Sequence, residues 1–301
     1  MFVFCFNDCI PQNHSNGIAD RCLENSLKEY HKLSELFPGE ISGIVTSNTS
    51  TSVSINQSSS LYDCICRIAE RELRIYAHSV FRKYPVDSHY VFDNESELID
   101  NDFYINIGGC HYDAMHPFVV VKNQGVLFSL AVHSDICRNQ LPIFKDDIKI
   151  ADANNLYGCD INTNYIVKVI RQSIYDKADN FNKLLIAVGE NKFSERFQKK
   201  FESFPTNVQQ CIIDHFVEAK KRNLPTSFSA DKDMIRDVTP EKETKIKIFE
   251  LRIFEPVACR VYFYETANCI YLGSVENKPN KKTQSSHINT ARSIIKELIA
   301  L

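Results

Sequence analysis

The sequence lacks the signatures that most directly name a chemistry. It contains no Walker loop, no GxSxG turn and no GxGxxG fingerprint, which removes the motif-based case for P-loop, hydrolase or dinucleotide chemistry. Its eleven cysteines include no CxxC pair; the closest spacings are Cys5-x3-Cys9 and Cys64-x-Cys66. Neither spacing fits a standard zinc site, so the cysteines read as reduced, small core residues. No apolar run approaches the roughly 20 residues that a bilayer span needs. The opening MFVFCFNDCIP is apolar but short, has no basic segment and meets Asn and Asp at once. It reads as a buried first strand rather than a signal peptide, and the expected location is cytoplasmic. No internal repeat is visible.

What is present suits packed domains. The chain has 301 residues, 44% of them hydrophobic, enough for two domains of ordinary size. Charge separates the two ends. From Glu190 onward there are 19 Lys+Arg against 15 Asp+Glu, net +4, and the remainder carries 16 against 23, net −7. That asymmetry predicts an anionic partner for the C-terminal part, or attraction between the two parts.

Periodicity predicts a strand over 1–6, a helix over 18–37 with Leu23, Leu27, Tyr30 and Leu33 on one face, and a strand at EISGIVTS. A Ser/Thr-rich segment follows, whose last serines can cap a long amphipathic helix over 61–84. Short apolar runs, FYINI, PFVVV, GVLFSLAV and LPIF, suggest a meander of strands between 103 and 150. A helix over 164–178 and a strand at KLLIAV complete an α+β domain over 1–188, and Gly189 to Lys192 reads as a hinge.

The remainder is more regular. Phe193, Phe197 and Phe201 make one helical stripe, and Val208, Ile212, Phe216 and Ala219 a second. Three β-rich segments follow, KIKIFELRIF, CRVYFYE and CIYLGSV, joined by intervals short enough for hairpins. A basic turn and a final helix from about Ser285, carrying Ile288, Ala291, Ile295 and Leu298, close the chain. The order is ααβββα.

These segments carry a resemblance. The Phe-rich helix, FPTNVQQCIIDHF, the ELRI strand, CRVYFY, IYLGS, the KKTQ turn and the Ala-Arg helix together resemble the RelE/HigB toxin endoribonucleases of the RelE/ParE superfamily. The likeness covers about residues 192–301, within an expected toxin domain over 189–301; residues 1–188 carry none. It implies a RelE-like ααβββα module with a small antiparallel sheet. The implied activity is metal-independent RNA cleavage, often of ribosome-bound mRNA, in which a 2′-hydroxyl attacks the adjacent phosphate and leaves a 2′,3′-cyclic phosphate. No cofactor or metal is implied. Partners would be RNA and the ribosome, with a possible antitoxin or phage-derived trigger, and no membrane.

Such chemistry needs cations on the phosphate and proton carriers on the attacking and leaving oxygens. By position the resemblance implies Arg252, Arg260, Lys281, Lys282, His287 and Arg292 as catalytic residues, and Lys278, Tyr262 and Tyr264 as RNA-binding ones. The N-terminus of the last helix, near Ser285 and Ser286, would add free N–H donors. Two departures stand out: the last helix has no terminal Tyr or His, leaving His287 as the substitute, and the SADKDMIRDVTPEKETK loop is long and charged.

Three alternatives remain open. The module can bind RNA, the ribosome or a protein without catalysis. Arg71 and His78 in RELRIYAH match the R-x6-H spacing of HEPN ribonucleases, although the same pattern describes the polar face of an amphipathic helix. CHYDAMH with HSDIC supplies His and Cys in a spacing that fits no standard metal site. A domain of nearly 190 residues before the toxin-like module would regulate it, as a built-in antitoxin or a sensor in phage defence.

Overall fold

The computed structural model describes residues 2–90, 102–221, 234–243, 245–278 and 281–300. Helices and several sheets alternate along the chain, and contacts divide it into two compact units, Met1–Ser173 and Ile174–Leu301. Among the described residues no helix is long and apolar enough to cross a membrane.

The first unit runs β1 (Phe2–Phe6), α1 (Asn16–Leu36), β2 (Ile41–Val45), β3 (Ser54–Asn56), β4 (Ser59–Ser60), α2 (Leu61–Arg67), α3 (Arg71–Val80), β5 (Tyr104–Ile107), β6 (Cys110–Asp113), α4 (Met115–Lys122), β7 (Val126–Phe128), β8 (Gln140–Lys145), β9 (Ile148–Leu156) and α5 (Asp160–Lys177). Its main sheet has the order β2-β1-β7-β9-β8-β5-β6. The first four strands are parallel and the rest antiparallel. Leu23, Leu27, Tyr30 and Leu33 of α1 are buried, as their spacing predicts.

Two expectations in this unit change. The helix expected over 61–84 is two helices. Ser60 and Asp63 form a capping box at the start of α2. The break comes at Ile68, which is fully buried with an extended backbone, and its carbonyl accepts a hydrogen bond from Arg74 Nη1 at 2.8 Å. PFVVV lies in α4, not in a strand. Pro117 sits in its first turn, where no backbone N–H is needed, and Pro117 to Val120 are all buried. A β-branched run buried on all sides has no amphipathic period by which to tell helix from strand. The Ser/Thr-rich segment forms a small antiparallel pair, β3 with β4.

The second unit continues with α6 (Asn180–Val188), β10 (Asn191–Phe193), α7 (Glu195–Glu202), α8 (Thr206–Lys221), β11 (Ile235–Asp237), β12 (Phe249–Ile253), β13 (Cys259–Glu265), β14 (Ile270–Asn277) and α9 (Lys281–Ala300). KLLIAV is thus helical. Asp179 caps α6 by accepting a hydrogen bond from the Asn182 N–H, and Phe181, Leu184, Ala187 and Val188 enter the same core as Phe197, Phe201 and Phe216. This packing moves the boundary from the expected 188/189 to 173/174. The expected hinge is a helix cap followed by an edge strand. Gly189 closes α6 at φ 81°, a conformation that favours glycine, and β10 pairs in parallel with β14.

The sheet order is β10-β14-β13-β12-β11, with β11 through β14 antiparallel. Strand alternation gives it two faces. Leu251, Val261, Phe263, Leu272 and Val275 face the core shared with α6, α7 and α8. Tyr262, together with Ile246 and Ile248, packs with Ala291 and Ile295 of α9 in a smaller core. A Cβ at Gly273 would lie 2.9 Å from Ile295 Cδ1 and 3.0 Å from the Ala291 carbonyl, so glycine there lets α9 approach the strand. The RNLPTSF segment, and the part of the long charged loop before Met234, lie outside the described residues.

Candidate functional site

The polar residues of the implied site gather on the α9 side of β12, β13 and β14. Glu250 is paired across the strands with Tyr262, and Tyr262 with Ser274; Arg252 is paired with Arg260, and Arg260 with Glu276. This register puts a carboxylate beside two guanidiniums in a place the sheet keeps dry.

Arg260 is 3% exposed. Its Nη1 donates to the carbonyls of Ile253 at 2.8 Å and Cys259 at 2.7 Å, and its Nε lies 3.1 Å from Glu250 Oε1. The guanidinium therefore ties together the two ends of the hairpin between β12 and β13. Glu250 is buried as well, and its second oxygen accepts a hydrogen bond from Gln284 Nε2 of α9 at 3.1 Å. Arg252 lies 3.6 Å from the same carboxylate, but its side chain is 23% exposed.

Both guanidiniums face one ring. Phe254, at the hairpin, is 49% exposed, and the Cζ atoms of Arg252 and Arg260 stand 5.3 Å and 5.2 Å from its centroid. An apolar ring kept half in solvent between two cations offers a stacking surface next to positive charge. Lys278, exposed, lies nearby in the chain fold, its N–H bonded to the Ala258 carbonyl at 2.7 Å.

The other implied residues are placed as follows. Tyr262 is fully buried; burial, then the Glu250 carboxylate, raises its phenol pKa well above the ordinary value. Tyr264 is partly buried and stacks on Tyr271 with centroids 5.7 Å apart. His287 is half-buried on α9, and its Nδ1 has no hydrogen-bond partner among the described residues. Arg292 and Lys296 converge on Glu243, at 3.9 Å and 2.6 Å. These contacts, the Lys296 bond first, hold the Glu243 carboxyl at about 2.

Lys281 and Lys282 are the first residues of α9 rather than a turn before it. Ser285 and Ser286 accordingly lie inside the helix and cannot supply its free N–H groups; those belong to Lys281 through Gln284. The structure thus brings together Glu250, Arg252, Arg260, Tyr262, Phe254 and Gln284, and places Arg292 with Glu243 and Lys296.

In the first unit, Arg71 and His78 lie two turns apart on α3. Arg71 is exposed, and the His78 ring packs 5.7 Å from that of Tyr62. His116 and His133 each stand beside one aspartate, Asp8 at 3.6 Å and Asp135 at 3.5 Å. Among the described residues no group of three or more His, Cys, Asp or Glu is placed to hold a metal ion.

Glu250, Phe254, Gln284 and Glu243 are site residues that motif reading passes over. A signal for Glu250 exists: a lone acid inside the apolar strand FELRI, two positions from an arginine and so on the same face, is the pattern of a buried counter-ion. Comparison of the sequence with family models and with curated proteins gives no match.

Proposed function

We propose that the second unit is an RNA-acting module of the RelE/HigB type, with endoribonucleolytic cleavage as its activity and the first unit as its regulatory or sensing partner. The observation that carries the reading is the half-exposed Phe254 ring flanked by Arg252 and Arg260, in the ELRI and CRVYFY segments where the resemblance puts phosphate-binding cations. A nucleobase stacks on the ring while the Arg252 fork takes the adjoining phosphate. Arg260 acts as a positioning residue: its bonds to the Ile253 and Cys259 carbonyls fix the hairpin that presents Phe254. The exposed Lys278 adds a further cation beside the hairpin. In the reaction, a base takes the proton of the 2′-hydroxyl, the freed oxygen bonds to phosphorus, and the 5′-oxygen leaves with a proton; His287 is the imidazole assigned to this exchange. The first unit, residues 1–173, carries 14 Lys+Arg against 21 Asp+Glu, net −7, and the second 21 against 17, net +4, which supports a masking role for the first.

A second reading, RNA binding without cleavage, is favoured by the burial of Tyr262 and by the commitment of Arg260 to Glu250. Incubation of the full chain with labelled single-stranded RNA in a chelator separates them. Fragments ending in 2′,3′-cyclic phosphate, lost in Phe254→Ala and Arg252→Ala, support cleavage. Intact RNA whose binding is lost in those variants supports the second reading. RNA that neither binds nor is cut, with and without ribosomes, overturns both.

A further inference from the structure

At the end of β13 away from Arg260, the second unit has a cleft of about 350 Å³ that the RNA reading does not use. Its walls are the C-terminal turn of α6, the last turns of α8 and the hairpin joining β13 to β14. Val188, Phe216 and Ile270 give an apolar floor, and Glu190, Lys220 and Glu265 bring charge to it.

Most polar groups of this cleft are engaged. Thr266 holds the hairpin, its Oγ1 accepting from the Cys269 N–H at 3.0 Å while its own N–H donates to the Cys269 carbonyl at 2.9 Å. Lys220 Nζ reaches over Gly189 to the Val188 carbonyl at 3.4 Å, a cation at the negative end of α6. The exception is Glu265, whose Oε2 is buried and has no hydrogen-bond partner among the described residues. Burial raises its carboxyl to about 7, with Lys220 opposing the rise. A buried oxygen without a donor is costly unless a ligand supplies one.

We infer that this cleft is a binding site for a primary alkylammonium group, whose N–H donors satisfy Glu265 while its stem lies along Val188, Phe216 and Ile270. Charge decides for a cation. Two carboxylates and the carbonyl end of α6 face one ammonium, and that ammonium already caps the helix. The volume suits a stem of a few carbons.

The test uses the full chain and n-butylammonium as the probe, followed through the amide NMR signals of residues 265–270. n-Butanol, which shares the stem without the charge, is the control. The expected result is a saturable shift at millimolar n-butylammonium, at least about tenfold weaker with n-butanol, as loss of a charge-assisted bond requires. Binding strengthens as pH rises through 7 and Glu265 ionises, while burial keeps Cys269 a thiol; Glu190 and Lys220 are the other charged groups that line the cleft. Glu265→Gln weakens it about tenfold or more, and the exposed Glu190→Gln, which leaves the floor intact, about two- to threefold. No saturable shift, an equal response to n-butanol, or undiminished binding in Glu265→Gln with retained native dispersion overturns the proposal. None of these readouts depends on RNA.

Discussion

Arg260 and Glu250 lie on neighbouring strands with Nε and Oε1 3.1 Å apart, their side chains 4% and 3% exposed. Removing one partner of such a pair strands the other charge in a dry layer, at a typical cost of about 3–5 kcal/mol. Glu250→Ala and Arg260→Ala are each expected to lower the unfolding free energy by about that amount in denaturant titrations. The apolar pair Glu250→Leu/Arg260→Met recovers most of it. Arg252→Ala, whose side chain keeps water contact, costs about 1 kcal/mol or less. Loss of activity in an Arg260 variant therefore reports folding as well as chemistry.

Phe254 separates the two. Its ring is 49% exposed, so Phe254→Ala leaves thermal stability nearly unchanged. One lost base-stacking contact is worth about 1–3 kcal/mol, so the affinity for single-stranded RNA falls by about tenfold or more. Fluorescence anisotropy beside a melting curve measures both. Phe254→Tyr, which keeps the stacking face, retains affinity.

Acid is expected to loosen α9. Glu243 has its carboxyl held at about 2, first by the bond from Lys296 and then by the N–H of Lys245. Its folded pKa is depressed, so its contribution is fully present above the ordinary carboxylate value, near 4.5, and is lost as pH falls toward 2. Glu243→Gln should reduce the hydrogen-exchange protection of α9 at pH 7. At pH 2 the wild type and the variant should be alike.

Glu265 has the opposite sign. Its folded pKa, about 7, is above the unfolded value of 4.5, so the native state loses stability as pH rises from about 4.5 through 7. Glu265→Gln does not titrate. The variant should gain on the wild type across that window, by on the order of 2 kcal/mol, and the difference should level off above pH 8. Urea midpoints at pH 5, 6, 7 and 8 give the curve.

Amphipathic periodicity made the main frame of the second unit legible. The stripe read over Phe193, Phe197 and Phe201 holds for the last two, Phe193 lying in β10 instead; the Val208–Ala219 stripe is a helix with that face buried, CRVYFYE is β13 residue for residue, and both hairpins form where the short intervals stand. Where a run is apolar on every side, no polar residue marks a period, and PFVVV and KLLIAV gave strands in place of α4 and α6, although Ile186 of the second is exposed. The break at Ile68 depends on Arg74 reaching a carbonyl six residues back, which no local propensity encodes. At the site, the sequence offered cations. Which of them are spent on a buried acid depends on register: Glu250 neutralises Arg260 because strand alternation aims both at α9. Glu265 carries no sequence signal of its own, since the cleft around it is built from α6, α8 and a hairpin far apart in the chain.

Transcriptome-wide mapping of RNA 5′ ends after induced expression in a bacterial host, wild type beside Arg252→Ala/Phe254→Ala, tests the central claim most directly. The account predicts growth arrest with new RNA ends in the wild type and neither in the double variant, which folds as the wild type does. New ends that persist in the double variant would contradict it and move the chemistry elsewhere in the chain, with Arg71 and His78 on α3 the next residues to substitute.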